Sequence, residues 1–359
     1  MARFLVVGDL NPPRSAVDRL DMRIFLYHPE VEFLHTGTGE DVLAKQKLPT
    51  RTVVRDALNG NYELIFAGHN AFPYPNPRKS WTKNYANLIW EVLRHPNLLT
   101  GCRFPYARVG SRLAGLDMAD RPVVDNRWFP ILDRGVCFFK RELPQNPCNA
   151  FLYTTPRTED NGNVLVLEEF RRRISKLRPI SLGIAPETCR EYGALDVPKK
   201  TDVFFAGDTE HKPNRIAGLK QMERLAAEGL AVDIAREKIP RDEFMRRCAQ
   251  AYLVWSPEGL GWECLRHYEA ALAGSVPLMQ SPSILRYAPL QEGEHAFYYY
   301  LEGEHLAFRI RQALQNRARL VEMGRAARQH VLQWHTHEAL GRYVIEETRR
   351  TRAAVAGPG

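Results

Sequence analysis

The architecture of this chain is best recognised from one segment, Ser256-Pro-Glu-Gly-Leu-Gly-Trp-Glu-Cys-Leu-Arg-His-Tyr-Glu-Ala-Ala-Leu-Ala-Gly-Ser-Val-Pro-Leu-Met279. The apolar run before it, Ala251 to Trp255, predicts a buried strand that ends at a glycine-rich loop. Apolar spacing then predicts a helix from Trp262 to Ala273, stopped by Gly274 in a left-handed cap. Val276 to Met279 predicts the next strand. Strand, glycine loop, helix and strand are the parts of a parallel α/β sheet.

The predicted helix has one apolar face and one charged flank. At about 100° per residue, Leu265, Tyr268 and Leu272 share a face that is predicted to be core. Arg266 and Glu269 then lie at the flank, three residues apart. One interpretation is an ion pair on the helix surface, worth a few tenths of a kcal/mol. The other is a ligand site, because a glycine loop at the carboxyl end of a strand lets a ligand approach the helix N-terminus.

The same alternation of strands and helices runs through the chain twice. The first half has short apolar runs typical of buried strands, namely Phe4 to Gly8, Val31 to His35, Tyr62 to Ala67, Ala119 to Asp125 and Gly135 to Phe139. The pattern restarts at Asp202 to Ala206, after a linker predicted at Pro186 to Lys200. The sequence therefore predicts an α/β fold with two Rossmann-like domains that face each other across a cleft. The predicted domains are 1–186 and 187–336, and a helix over 337–359 is expected to pack back on the first domain.

Composition limits the class of protein and its partners. The chain has 359 residues, a net charge of +8 and no apolar run of about 18 residues, so no transmembrane helix is predicted. No signal peptide is visible at the N-terminus, which predicts a cytoplasmic protein. The six cysteines form no CxxC pair and no zinc-ligand spacing, so no metal is predicted. The positive charge favours an anionic partner such as a nucleotide, a nucleic acid or a membrane surface.

The segment resembles the nucleotide-sugar site of GT-B glycosyltransferases, in particular the exostosin-like and bacterial spore-coat-type branches. The shared string is Gly-Trp-Glu followed by Arg-x-Tyr-Glu and Gly-x-x-Pro, which here runs from Gly261 to Pro277. The resemblance implies that residues 1–186 bind the acceptor and 187–336 the donor. It implies further that Glu269 holds the donor ribose and that Arg266 reaches the diphosphate. The E-x7-E spacing of the retaining enzymes is absent, because Gly261 stands eight residues before Glu269.

Further donor-binding residues follow from the same resemblance. Glu258 and Glu263 flank Gly261, and the resemblance leaves open which of them faces the sugar. Gly259 belongs to the glycine loop. In addition, Phe204 to Asp208 resembles the first strand and loop of the donor domain, in which a basic residue pairs with the diphosphate. Three residues there complete the predicted donor site: Gly207, Lys212 and Arg215.

Polar residues after strands of the first half are candidates for acceptor chemistry. Asp9 and His69 each follow a predicted strand, and a base there would deprotonate an acceptor hydroxyl if the reaction inverts. A loop-capping role is the alternative for both. Lys140, Arg141 and Glu142 end another apolar run, where burial requires pairing, so they form either ion pairs or a ligand site.

These observations predict a metal-independent glycosyltransferase that uses a nucleoside-diphosphate sugar as co-substrate and needs no cofactor. The acceptor stays open: a glycan, a small molecule, a protein or a modified nucleic acid. Two alternatives belong to other classes. One is a protein that acts on nucleic acid, such as a DNA-base glycosyltransferase, and the other is a non-catalytic module that binds a sugar or nucleotide.

Overall fold

The computed structural model describes residues 3–8, 23–35, 50–68, 106–125, 128–152, 168–210 and 212–356. The chain divides into two compact units. The first comprises Met1–Ile180, Ile284–Arg286 and Leu340–Gly359, and the second comprises Ser181–Ser283 and Tyr287–Ala339. Each unit is built around its own sheet of parallel strands. The predicted fold class, α/β with two Rossmann-like domains, is confirmed.

The first unit contains a six-stranded parallel sheet in the order β2-β1-β3-β4-β5-β6. Its strands are β1 (Phe4–Gly8), β2 (Val31–His35), β3 (Leu64–Ala67), β4 (Leu113–Asp117), β5 (Cys137–Lys140) and β6 (Leu177–Pro179). The helices described between them are α1 (Thr50–Leu58), α2 (Phe129–Arg134) and α3 (Glu168–Ser175), with 3-10 turns at Tyr106–Arg108, Gly110–Arg112 and Pro147–Phe151. The strands are continuous apolar runs because both faces of a parallel sheet are covered.

One strand of the first unit lies elsewhere than predicted. The sequence predicts a strand over Ala119 to Asp125, whereas β4 ends at Asp117 and the following residues form a loop. The loop carbonyls bond to side chains instead of a strand partner: Lys140 Nζ donates to the Ala119 oxygen at 3.3 Å. Apolar residues in this loop suggested a strand, but of residues 119–125 only Val124 is buried, and its N–H donates to the Ala150 carbonyl at 2.7 Å.

The second unit contains a five-stranded parallel sheet in the order β11-β10-β9-β7-β8. Its strands are β7 (Thr201–Ala206), β8 (Val232–Ala235), β9 (Ala251–Ser256), β10 (Val276–Gln280) and β11 (Phe297–Tyr299). The helices are α4 (Pro186–Tyr192), α5 (Pro213–Ala227), α6 (Arg241–Gln250), α7 (Leu265–Leu272), α8 (His305–Leu314) and α9 (Arg317–Trp334). No helix in the described ranges has both the length and the apolar character needed to cross a bilayer.

Two local predictions for the second unit are wrong. The stretch Pro186 to Lys200 was expected to be a linker, but it begins with the helix α4. The helix expected from Trp262 begins only at Leu265, because residues 257–264 form a longer loop after β9. Leu265 is partly exposed, whereas Tyr268 and Leu272 are buried as predicted. The first residue of the helix thus lies at the rim of the core.

The last helix of the chain, α10 (His337–Ala356), joins the first unit from Leu340 onward. The Tyr343 hydroxyl donates to the Pro179 carbonyl at 3.0 Å. The Tyr343 ring meets the ring of Phe139 edge-on, with 5.5 Å between the centroids. These contacts place α10 against β5 and β6, so the final residues of the chain complete the packing of a sheet that begins near its start.

Lys199, which is partly buried, connects three elements around β9. Lys199 Nζ donates to the carbonyls of Ala249, Ala251 and Gly274 at 2.7–3.0 Å and to Ser275 Oγ at 2.9 Å. These acceptors lie at the end of α6, at the start of β9 and in the turn after α7. The ammonium therefore fixes the amino-terminal end of β9 relative to the two helices beside it.

Candidate functional site

The carboxyl edge of the second sheet has a topological switch point between β7 and β9. The chain leaves β7 for β8 on one side of the sheet and returns to β9 on the other. The loops after β7 and β9 therefore depart in opposite directions and open a crevice, where sheets of this kind bind ligands. Gly207 follows β7, and the glycine loop 257–264 follows β9. The sequence motifs and the sheet topology therefore both indicate the carboxyl edge of the second sheet as the candidate site.

The glycine loop leaves open space beside a guanidinium group. The Gly259 N–H donates to the Gly261 carbonyl at 2.9 Å, and Leu260 between them is 86% exposed. A Cβ built on Gly259 would meet its nearest atom, Arg215 Nη2, at 3.7 Å, which is an ordinary contact. Packing alone therefore does not require glycine at this position. Its absent side chain leaves the backbone accessible to a ligand.

Arg215 holds the two loops of the switch point together. Its Nη1 donates to the Asp208 carbonyl at 2.5 Å, and its Nε and Nη2 donate to the Glu258 carbonyl at 3.0 and 2.7 Å. The residue is 5% exposed. Burial lowers the pKa of the guanidinium, and the positive charge of Arg266 lowers it further. Arg215 therefore positions both loops and adds a positive charge close to a second one.

The other predicted residues around Arg215 form ordinary polar pairs. Lys212 Nζ donates to the Asp208 carboxylate at 2.8 Å, which lowers the pKa of that carboxyl. The Glu258 carboxylate accepts from Asn214 at 2.8 Å and from Gln280 at 3.2 Å. Both acidic groups lie at the edge of the crevice. The structure thus brings Lys212 and Glu258 to the predicted site and gives each a protein partner.

Arg266 fits into the space that Gly207 leaves open. A Cβ on Gly207 would lie 2.6 Å from Arg266 Nη2, so a larger residue would displace the guanidinium. The guanidinium carbon lies 5.4 Å from the ring centroid of Phe205. Arg266 Nη1 is shielded from solvent and has no hydrogen-bond partner in the described ranges. A buried donor without an acceptor is costly, so this atom indicates a place for an anionic group.

Glu269 pairs with Arg241 and not with the neighbouring Arg266. Its Oε1 accepts from Arg241 Nη2 at 3.0 Å, and its side chain is 11% exposed. Burial raises the pKa of this carboxyl, while the charge of Arg241 opposes the rise. The surface ion pair suggested by the spacing of Arg266 and Glu269 is therefore not the arrangement in the structure. Arg241 lies 28 residues away in sequence, which is why the helix pattern did not reveal it.

The buried Glu263 carboxylate accepts hydrogen bonds from other residues of the same unit. Glu263 is 4% exposed, and its carboxylate accepts from the Leu182 N–H at 3.2 Å and from the Tyr268 hydroxyl. These bonds fix the last part of the glycine loop against the first residues of the unit. Of the two glutamates that flank Gly261, Glu258 therefore lies nearer to the crevice loops that Arg215 connects.

A cluster of Ser256, Cys264 and His267 lies under the glycine loop, and the sequence analysis missed it. Ser256 Oγ is 2.7 Å from His267 Nδ1, and Cys264 Sγ is 3.6 Å from both of these atoms. His267 Nε2 is 3.1 Å from the Trp262 carbonyl. A sequence pattern could have revealed this cluster. Cys264 and His267 lie three residues apart at the start of a helix, and Ser256 ends the preceding strand.

The first sheet also has one switch point, between β1 and β3. In its order, β2 lies on one side of β1, and β3 and the later strands lie on the other. The Gly68 N–H donates to the Val7 carbonyl at 3.0 Å, so the ends of β1 and β3 are direct neighbours. Asp9 and His69 come one or two residues after these ends but lie outside the described residues. Their role stays a prediction.

Buried charges follow the carboxyl ends of β4 and β5. Lys140 is fully buried and its Nζ lies 3.3 Å from Asp117 Oδ2. Arg141 donates to the Met118 carbonyl at 3.0 Å and pairs with Asp120. These contacts support the ion-pair interpretation of this group, because each cation binds the loop after β4. In the described ranges, no group of three or more His, Cys, Asp or Glu side chains could hold a metal ion.

Solved structures with a similar fold include HepE from Anabaena and a glycosyltransferase from Rickettsia africae. HepE from Anabaena, in complex with UDP, matches with a TM-score of 0.52 at 13% identity over 97% of this chain and all of that one. A complex of HepE with UDP-glucose gives a TM-score of 0.51 at 12% identity over 97% and 99%. A glycosyltransferase from Rickettsia africae gives 0.51 at 9% identity over 98% and 99%.

The chain has the GT-B fold. The matches extend over nearly the whole chain, and at these identities the likeness concerns the fold alone. No family model and no curated protein matches the sequence. The exostosin-like or spore-coat-type branch of the fold therefore stays a prediction.

Proposed function

We propose that the protein is a glycosyltransferase that moves a sugar from a nucleoside-diphosphate sugar to an acceptor without a metal ion. The observation that carries the proposal is the position of Arg266. Its guanidinium lies at the β7–β9 switch point beside a second guanidinium, and one of its nitrogens is buried without an acceptor. A diphosphate would supply the missing negative charge.

The reaction breaks the bond between the sugar and the β-phosphate, and negative charge develops on the leaving diphosphate. Fixed positive groups lower the energy of that state, because they need no reorganisation when the charge appears. In this proposal Arg266 and Arg215 are these groups, and the N-terminus of α7 adds the positive end of its helix dipole at the same edge. In this proposal the protein's own cations take the place of a metal ion.

The ribose is assigned to Glu269. An ionised carboxylate can accept from both vicinal hydroxyls of a ribose, which gives charge-assisted bonds. Burial raises the pKa of this carboxyl, and the charge of Arg241 opposes that rise and so favours the ionised form. Because HepE was solved with UDP and UDP-glucose, uridine nucleotides are the first donors to test.

The acceptor hydroxyl is assigned to the carboxyl edge of the first sheet. Asp9 and His69 follow the neighbouring strands β1 and β3, at the switch point of that sheet. One of them would act as the base if the reaction inverts. Substituting each by Asn should then lower turnover and leave donor affinity nearly unchanged.

The test is a thermal-shift screen with UDP, GDP, ADP, CDP and dTDP, followed by calorimetry with the best ligand. A nucleotide at about 100 times its dissociation constant should add about 2.7 kcal/mol to the free energy of unfolding. The matching sugar nucleotide is then incubated with the protein, and release of the nucleoside diphosphate is measured in EDTA and in magnesium or manganese.

Equal release in EDTA and in metal supports the proposal, whereas release that requires the metal contradicts the metal-independent mechanism. If no nucleotide raises the melting temperature, the proposed function is wrong. Binding of a nucleotide without any release from its sugar would favour a non-catalytic module.

A further inference from the structure

The cysteine at the start of α7 is surrounded by proton-exchanging groups. Cys264 is the residue that precedes the first turn of the helix, and its Sγ lies 3.6 Å from Ser256 Oγ and 3.6 Å from His267 Nδ1. Ser256 is fully buried and His267 is 2% exposed. Cys264 as a whole residue is partly exposed, and its sulfur lies against Ser256, His267 and the Pro257 carbonyl. The proposed sugar transfer makes no use of this group.

The hydrogen bonds allow a proton to move from the thiol to the imidazole. The Trp262 carbonyl can only accept, so His267 Nε2 carries a proton, and Nδ1 is free to accept or donate. In the neutral arrangement, the Cys264 thiol donates to Ser256 Oγ, and the Ser256 hydroxyl donates to Nδ1. Shifting both protons along this line gives a thiolate and an imidazolium, with Ser256 donating to the sulfur. The groups therefore form a proton relay.

Positive charges around the sulfur favour the ionised arrangement. Burial alone would raise the pKa of the Cys264 thiol, but the charge of His267, its hydrogen bond and the charge of Arg266 lower it to about 5. The opposite holds at Cys137, Cys189 and Cys248, where burial raises the pKa. The neighbours of Cys264 therefore lower the pKa of its thiol, whereas the thiols of the other three cysteines have a raised pKa.

Arg266 adds positive charge to the surroundings of this cluster. Its charge lowers the pKa of both the Cys264 thiol and the Arg215 guanidinium. Its Nη1 has no acceptor in the described ranges, so Cys264 and Arg266 act on each other through charge and not through a hydrogen bond.

We propose that Cys264 is a modification site, a thiolate that exchanges with small disulfides and thereby controls the crevice between β7 and β9. In this exchange the Cys264 sulfur attacks one sulfur of a disulfide R–S–S–R. A new Cys264–S–S–R bond forms, and the R–S⁻ thiolate leaves with the electron pair. An added thiol reverses the step. The group R then occupies the mouth of the crevice, so the part of the proposal that concerns nucleotide binding rests on the proposed function.

The first experiment measures the reactivity of each cysteine with iodoacetamide by mass spectrometry between about pH 4 and 9. We expect the rate at Cys264 to rise near pH 5 and then to stay level. Near pH 6 it should exceed that of an ordinary thiol by on the order of tenfold, after allowing for the lower nucleophilicity of a low-pKa thiolate. A rate at Cys264 that still climbs above pH 8, or no reaction in the folded protein, overturns the proposal. Cys148, which is partly exposed, serves as the internal reference.

The second experiment tests the relay with Ser256→Ala and His267→Gln. Each should move the inflection at Cys264 to higher pH, because each removes a group that stabilises the thiolate. If His267→Gln does not fold, Ser256→Ala alone decides, since it removes only a hydroxyl. An unchanged inflection in a folded variant overturns the relay.

The third experiment treats the protein with oxidised glutathione and measures UDP affinity by calorimetry before and after addition of a reducing thiol. We expect a loss of at least tenfold that the thiol restores, and no such loss in Cys264→Ser. Complete Cys264 modification with unchanged UDP affinity overturns control of the crevice. If the untreated protein binds no nucleotide at all, the proposed function and control of nucleotide binding both fail. The reactivity profile then decides whether Cys264 is a modification site.

Discussion

Arg266 has a buried nitrogen, Nη1, that finds no acceptor in the described ranges. Replacing it by Met removes a buried donor without an acceptor, so the melting temperature should stay the same or rise. The affinity for the best nucleoside diphosphate should fall about ten- to 150-fold, the equivalent of about 1.5–3 kcal/mol for bonds to a charged group. Thermal unfolding and calorimetry of Arg266→Met measure the two effects.

Arg317 provides the matched control for that change. It is an arginine of the same unit whose Nε and Nη2 donate to Asp202 Oδ1 at 3.1 and 2.7 Å. Arg317→Met leaves a buried carboxylate with fewer partners, so it should lower stability by about 1–3 kcal/mol and leave nucleotide affinity alone. The assignment of Arg266 to a ligand is wrong if both variants lose stability and both keep their affinity.

Glu269 is predicted to bind the donor ribose, and Glu269→Gln tests this. Glutamine keeps the size of the side chain but removes the charge, so nucleotide affinity should fall by roughly 1.5–3 kcal/mol while the protein stays folded. Glu187→Gln is the control, because Glu187 is exposed and forms a pair with Arg190 at 3.5 Å. Calorimetric titration of the wild type, Glu269→Gln and Glu187→Gln with the nucleotide measures this difference. Equal affinities would remove Glu269 from the site.

The loop after β7 and the helix α7 depend on each other through Gly207. A methyl group on Gly207 would lie 2.6 Å from Arg266 Nη2 and must push the end of that side chain away. Gly207→Ala should therefore lower nucleotide affinity by about as much as Arg266→Met, and adding it to Arg266→Met should change little further. Calorimetry on the double-mutant cycle measures this coupling. Independent, additive losses would show that Gly207 acts without Arg266.

The lysine that connects α6, β9 and the turn after α7 makes stability depend on pH. Burial, and then the charge of Arg328, lower the pKa of Lys199 from 10.5 to about 8. Between these two values the unfolded chain binds more protons than the folded one, so stability rises with pH. The free energy of unfolding of the wild type, compared with Lys199→Met, should therefore increase from about pH 8 to 10.5. Denaturant unfolding at several pH values checks this, and parallel curves for the two proteins would contradict it.

Most strands could be predicted because buried parallel strands are continuous apolar runs. Leu64–Ala67 and Cys137–Lys140 were found in this way, within two residues of their ends. The three-residue strands Leu177–Pro179 and Phe297–Tyr299 were not found, because such short runs carry no periodicity. Strand β4 was misplaced, because residues 119–125 form a loop of which Val124 alone is buried.

The place of the site could be predicted, but its pairings could not. A glycine loop after a strand is a local pattern, so the sequence indicated residues 257–264 directly. The partners of Glu269 and Arg266 come from elements far along the chain, namely the start of α6 and the loop after β7. Sequence spacing within one helix therefore suggested a pair that the fold does not make.

The molecule repeats one design in its two units. In each sheet, the first strand of the unit lies inside, the second is added on one side, and the later strands are added on the other. In the part of the chain that the structure describes, each unit thus has one switch point, after β1 and β3 in one and after β7 and β9 in the other. The residues assigned to the acceptor and to the donor follow those strands, so one topological rule accounts for both predicted sites.

The discontinuous first unit has a consequence for synthesis on the ribosome. The second unit is nearly continuous in sequence, whereas the first lacks α10 until residues 337–356 have been translated. Strands β5 and β6 emerge earlier but meet Tyr343 only after that helix has been made. We therefore expect the second unit to acquire its native packing before α10 joins the first unit. Most of the first unit is then translated earlier than the second but completes its packing later.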